Sequence, residues 1–436
     1  MDREERQSRR RGRPPKPLDA DGSKAARLGV EVRRRREGRE LTQKALAALT
    51  GFSPQHLSEV ERGEASVSEH FIQACDDALG ADGRLVELLP PVIYERARAR
   101  WSNRAAQHSI PTRLPSPTKT SPASKPTATD CVKPTPIAAA ADAEVIAEMI
   151  CALRRVDNRF GGGSAKGIVW SYLKGEVHPM LRGAQAQGSV PRRLLLAVAE
   201  LTQLAGWISH DVGENSRARE YFGESLRLAR AAGDEAFTSE VLAGMSHQAA
   251  YLGDARTAVD AAHAARRHAI RSDAPVLVSE AAAMEAHGHA LRRDARACLV
   301  ALRTAKRSLD AVGDDRRPPW LEYFDQAYLA AKFAHALHAL GEPKAAERYA
   351  VQSLLMSEGY ERGRLFNTVL LAQIHVDRGN LDAACELGRR SVTMASGIRS
   401  ARGRGYLAGL RRRLEPHAAV PQVRELREQI RSLEGT

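Results

Sequence analysis

The sequence predicts an all-α protein, and three observations carry that prediction. Aromatic residues make up only 5% of the chain, while Ala and Leu are abundant. Alternating runs of β-branched residues, the pattern of half-buried strands, are nearly absent. Turn signals also recur at near-constant spacing through the C-terminal two thirds of the chain. At 436 residues there is enough chain for two or more domains with real cores.

Composition divides the chain into four segments. Residues 1–22 are charged and Pro-bearing, too polar to bury a core, and are expected to form a disordered basic arm. Residues 23–101 carry five helical stretches, at about 23–37, 42–49, 53–61, 68–79 and 83–100. Residues 102–140 are rich in Pro, Ser and Thr and read as a flexible linker. Residues 141–436 are helical to the end. The formal charge of +13 concentrates in the arm, the linker and the last stretch, and favours a polyanionic partner.

Leu41–Gly63, reading LTQKALAALTGFSPQHLSEVERG, is the most informative stretch. Thr42 and Ser53 are placed to cap two short helices. Pro54 follows at a first helical position, where its missing N–H costs nothing. Gly51 suits the turn between them. Leu46, Ala47, Phe52, Leu57 and Val60 share an apolar face, with small Ala47 at the close approach. Such a helix pair can present its second helix to the major groove of DNA.

Extended back to Leu28 and forward to about Leu89, this unit resembles the XRE family of phage-repressor-like DNA-binding domains, over about a sixth of the chain. The resemblance implies that Gln43 bonds a DNA phosphate, with Lys44 beside it, and that Pro54, Gln55, His56 and Glu59 face bases. Gln55 can pair with adenine and Glu59 can accept from cytosine, whereas Pro54 offers only van der Waals contact. The resemblance also implies that Arg36 and Glu61 tie the first helix to the third. Arg35 stands where an apolar residue is usual. The fold used only for protein contact is the alternative. Upstream, Arg11-Gly12-Arg13-Pro14 resembles an AT-hook, whose Arg11 and Arg13 enter a narrow minor groove. An unspecific phosphate-binding tail reads equally well.

The C-terminal segment repeats. Turn positions Gly213, Gly253, Arg293, Gly341 and Gly379 stand 40, 40, 48 and 38 residues apart. Seven residues before each lies a small residue: Gly206, Ser246, Ala286, Ala334 and Ala372. Five after each lies another: Ala218, Ala258, Cys298, Ala346 and Ala384. Nine after come Phe222, Ala262, Leu302, Ala350 and Gly388. This register predicts an α-solenoid of stacked hairpins and resembles tetratricopeptide repeats with longer helices. If it holds, Trp207, His247, His287, His335 and Gln373 line a concave groove, with Gln203, His210, Asp211, Tyr251, His338, Phe366 and Asp377 nearby. A polar and aromatic groove of this kind suits a peptide or protein segment. An unoccupied, solvated face is the alternative.

Other chemistries find little support. His287 and His289 face different ways, and His335 and His338 lack an evident carboxylate or thiol partner, so no metal is expected. No cofactor is expected either. Gly161–Lys166 fails the phosphate-loop pattern and reads as a turn in an irregular first hairpin. No Ser/His/Asp, Cys/His or paired-carboxylate arrangement is discernible, and an enzyme is not expected. Five scattered cysteines point to a reducing compartment, and no apolar run is long enough for a membrane span.

The resulting expectation is a cytoplasmic, nucleoid-associated DNA-binding regulator, a homodimer on double-stranded DNA, with a partner segment in its groove. It resembles actinobacterial XRE–tetratricopeptide regulators of differentiation and secondary metabolism. The alternative is a repeat scaffold that its helix-turn-helix merely localises to DNA.

Overall fold

The computed structural model describes residues 22–65, 67–89, 91, 92, 95, 136–186, 190–312 and 319–434. All its regular structure is helical, in two compact units, Met1–Thr112 and Arg113–Thr436. Arg11 and Arg13 lie outside the described residues, as does most of the expected linker.

The first unit contains α1 (Lys24–Gly38), α2 (Gln43–Thr50), α3 (Pro54–Glu61), α4 (Glu69–Leu79) and α5 (Arg84–Glu87). Four of these begin on a hydroxyl: Ser23, Thr42, Ser53 and Ser68 each accept from the amide three residues on. The short α5 has no such neighbour. Buried Asp76 caps it from α4 instead, accepting from the amides of Gly83 at 2.6 Å and Leu85 at 2.8 Å. Gly51 ends α2 in the left-handed region at φ 74°. Leu28, Val32, Leu46, Leu57, Val60, Phe71 and Leu85 form the core. A Cβ on Gly29 would stand 2.3 Å from the Val60 carbonyl oxygen, so only glycine lets α1 lie this close to α3.

The second unit opens with α6 (Pro136–Phe160) and α7 (Gly162–Tyr172), which runs through a π turn at Leu173–Val177 into α8 (His178–Ala186). Helix α6 thus starts four residues before the expected end of the linker. Six hairpins follow: α9 (Arg192–Asp211) with α10 (Asn215–Ala231), α11 (Glu235–Tyr251) with α12 (Ala255–Arg271), and α13 (Pro275–Leu291) with α14 (Ala295–Asp310). Then come α15 (Gln326–Leu340) with α16 (Pro343–Ser353), α17 (Glu361–Asp377) with α18 (Leu381–Ser396), and α19 (Ala401–Arg413) with α20 (Pro421–Glu434).

The repeat register holds in three dimensions. Gly213, Gly253, Gly341 and Gly379 all have positive φ, and Arg293 adopts the same conformation at φ 59°. An arginine there costs roughly 1 kcal/mol relative to glycine, which the surrounding hairpin sustains. All fifteen small or apolar register positions named above are buried. The Ser246 hydroxyl donates to the Ala258 carbonyl at 2.7 Å, joining two of them across one hairpin.

The first helices of the hairpins form an inner row that curls until its ends meet. Helix α17 packs on α6, and α19 packs on α9. The Arg399 amide donates to the Phe160 carbonyl at 2.7 Å, and the Arg399 carbonyl accepts from the Gly163 amide at 2.9 Å. A Cβ on Gly161 or Gly163 would fall within 2.8 Å of Arg399. The glycine run is therefore the seat of the closing segment, beyond its expected role as a turn.

Two buried carboxylates and a partly buried guanidinium lock this junction. The Arg362 guanidinium reaches Asp157 of α6 at 2.9 Å and Asp211 of α9 at 3.3 Å. Asp211 also accepts from the Gly162 amide and the Ser400 hydroxyl, both at 2.8 Å. It was expected to line the groove. Fully buried and saturated with partners, it holds the ring shut instead.

Candidate functional site

Helix α3 leaves its N-terminal turn bare. Pro54 and Gln55 are exposed, because Leu57 and Val60 turn the opposite face into the core. The Gln55 side-chain amide donates to Glu59 Oε1 at 3.1 Å, which aims it along the helix surface. One N–H and the carbonyl oxygen of Gln55 remain available, the pair that a bidentate contact with adenine requires. His56, also expected to face a base, has a half-buried ring, edge-on to Phe71 at 4.8 Å and 6.0 Å from Phe52.

Beneath this face, Glu61 is the hub. Arg36 grips its two oxygens through Nε at 2.5 Å and Nη2 at 3.1 Å, with both side chains buried. Glu61 also accepts from Gln43 Nε2 at 2.7 Å. The first contact joins α1 to α3 as expected. The second fixes the side chain at the start of α2 and leaves it one N–H for a phosphate. Lys44 beside it is exposed. Arg35, at a position usually apolar, lies along α1 with Nε 2.7 Å from Glu31.

Residues 27–89 match the family described as a helix-turn-helix domain. A domain of this kind suggests a DNA-binding regulator. No curated protein matches the chain. The helix-turn-helix body is close to neutral: between residues 22 and 89, ten Lys and Arg face eleven Asp and Glu. The chain's +13 lies outside this helix-turn-helix unit. No helix among the described residues is long and apolar enough to cross a membrane.

The repeat unit holds a second constellation. The expected groove is closed in this structure, because side chains from α19 and the segment before α15 lie across it. Tyr406 of α19 meets Phe366 at 5.1 Å, Tyr251 at 5.8 Å and His335 at 5.9 Å. Its carbonyl accepts from Gln373 at 3.1 Å. Arg402 lies over the rings of Tyr251 and Phe366. Arg413 pairs with Asp377 at 2.8 Å, and Asp377 in turn binds His338 at 2.7 Å, supplying a carboxylate partner that was not evident in sequence.

Deeper in, Lys332 Nζ sits 2.8 Å from His247 Nδ1. Trp207 stacks edge-on against His247, His210 bonds Asn215 at 2.8 Å, and His287 lies 5.9 Å from His335. Gln203 donates to Glu240 at 3.0 Å. Tyr323, delivered by the lengthened connection before α15, places its hydroxyl 3.1 Å from Glu240 and 2.7 Å from Glu280. Trp207, His247, His287, His335, Tyr323 and Tyr406 remain only half-buried inside this wrapping.

Burial dominates the electrostatics of this interior. It lowers His210 to about 3 and His287 to about 4, and holds His247 and His335 well below the ordinary histidine range. It brings Lys332 down to about 7. Burial, then the neighbouring Glu280, raises Glu240 well above the usual carboxylate range. The four histidines resist protonation when folded and accept it when unfolded. Their contribution is full above about pH 6.5 and drains as pH falls towards 4. Glu240 and Asp157, raised by burial, act in the opposite sense but are fewer. The melting temperature of the repeat unit is expected to fall between pH 6.5 and 4. His287→Gln should flatten that fall when both proteins are followed by circular dichroism.

Sequence reading missed Glu240, Glu280, Tyr323, Lys332, Arg402 and Tyr406. A signal for two of them was present. Glu200, Glu240 and Glu280 each stand thirteen residues before a turn position, so the repeat register itself stacks these acids in one column. The insertion of Tyr323 and the crossing of Tyr406 left no such periodic trace.

Proposed function

We propose that this chain is a sequence-specific transcriptional regulator that binds double-stranded DNA as a homodimer and is controlled through its repeat domain. The carrying observation is the exposed start of α3, with Gln55 at the surface and Gln43 held by Glu61 at the start of α2. A neutral reading head needs electrostatic help, so the basic arm and linker supply the general attraction to DNA. The repeat domain accepts a peptide or protein segment on the polar and aromatic ladder, and α19 lifts to admit it. Resemblance to XRE–tetratricopeptide regulators supports genes of differentiation or secondary metabolism as targets.

Selection of bound DNA from a random pool tests the reading, followed by anisotropy titrations on the selected site. Gln55→Ala should lose about 1–3 kcal/mol of discrimination at one base position and little elsewhere. Gln43→Ala should weaken binding to every sequence about tenfold. Removal of residues 1–21, with Arg9, Arg10, Arg11, Arg13 and Lys16 among them, should weaken all binding and flatten its salt dependence. A pool that yields no preferred sequence, with partners still captured by the repeat domain, would instead favour a scaffold localised to DNA.

A further inference from the structure

The repeat register reveals one seam unlike the others. Eight residues before each turn position stand Ala205, Met245, Glu285, Phe333 and Leu371. Four are apolar and one is an acid. Glu285 on α13 is mostly buried, and it meets His289 one helical turn later and His263 on neighbouring α12. Its Oε1 lies 3.0 Å from His263 Nε2 and 3.7 Å from His289 Nε2. The three donor atoms lie within 4.8 Å of one another.

We propose that His263, Glu285 and His289 form a binding site for a first-row divalent transition metal, zinc being the best fit. Two imidazoles and one carboxylate are borderline donors of the kind zinc prefers. Ligands about 2.1 Å from a tetrahedral ion stand roughly 3.4 Å apart, close to the two separations seen here. Arg266 Nε stands 3.1 Å from Glu285 Oε2 as an ion pair, while Oε1 is the oxygen that meets the imidazoles. His289 Nδ1 is buried with no hydrogen-bond partner, so the ring is not placed there by an internal bond. His263 is the most exposed of the three and leaves room for water as a fourth ligand. The expectation from sequence was that no metal binds; it weighed His289 only against His287, whereas these three residues come from two hairpins.

The metal would bridge α12 to α13, the seam between the second and third of the six hairpins. The test uses the full chain, stripped of metal and titrated with Co²⁺ followed by Zn²⁺. The wild type should develop Co²⁺ visible absorption at one equivalent, lose it to Zn²⁺, and melt at a higher temperature with Zn²⁺ present. His263→Ala and His289→Ala should each weaken binding at least about 100-fold, beyond the 10–100-fold that outer-shell partners carry. Glu285→Gln should do the same while keeping the shape of the side chain. His417→Ala, which removes a histidine from a distant turn, should bind as the wild type does. Equal binding by all five proteins would overturn the assignment, as would a wild type that neither absorbs nor gains stability. In either case the trio is an internal hydrogen-bonded ion cluster.

Discussion

Arg362→Ala is expected to open the ring of repeats. The substitution leaves Asp157 and Asp211 buried without the cation that both face. Breaking a buried pair by deleting one partner costs about 3–5 kcal/mol, chiefly from the stranded charge. In a unit of this size that lowers the melting temperature by about 5–15 °C. The hairpins keep their own register contacts, so far-ultraviolet circular dichroism should hold at low temperature while small-angle scattering shows an expanded particle. Arg362→Lys keeps the charge but cannot span both carboxylates, and should fall between the two. The pH sign is fixed by the chemistry. Stranded carboxylates are costly only when ionised, so the loss should be smaller at pH 5 than at pH 8. An unchanged melting temperature and radius of gyration would show that closure rests on the other contacts, such as the backbone bonds of Arg399 and the bonds of Asp211 to Gly162 and Ser400.

Glu61→Ala should abolish DNA binding without touching the DNA face. Arg36 is buried and would lose both of its bonds to Glu61, while Gln43 would lose the acceptor that orients it. A stranded guanidinium costs about 3–5 kcal/mol, comparable to the whole stability of a domain this small. The expected result is a helix-turn-helix unit unfolded at 25 °C beside an intact repeat unit, seen as loss of the earlier of two calorimetric transitions. Glu61→Gln keeps an acceptor for Gln43 and one for Arg36, and should retain part of the binding. Full-strength binding by Glu61→Ala would mean that Arg36 finds adequate compensation in Glu37, 3.4 Å away.

Much of the fold is legible along the chain because it is local or periodic. Capping by Thr42 and Ser53 depends on amides three residues away, and the small residues beside each turn recur where hairpins touch. Even Arg293 could be placed, because four neighbouring repeats define the conformation its position demands. The Arg36–Glu61 pair was accessible through resemblance, since that contact belongs to the domain rather than to one chain. Helical spacing puts His56 beside Gln55, but only the position of Phe71 on α4 decides that its ring turns partly inward.

The amino-acid sequence by itself determined the all-helical class, the helix-turn-helix unit with Gln55 at its exposed start, and the hairpin register. Local hydrogen bonding and apolar periodicity specify each of these within a few tens of residues. Only the tertiary structure decided that the repeats close on themselves, with side chains of α19 laid across the expected groove. That outcome depends on contacts such as Arg399 with Phe160 and Arg362 with Asp157, which join segments more than two hundred residues apart. Small rotations between successive hairpins add up along the row, and no single repeat reveals their sum. The same accumulation brings Tyr406 across to Tyr251, whereas His263 meets Glu285 and His289 through the packing of neighbouring hairpins.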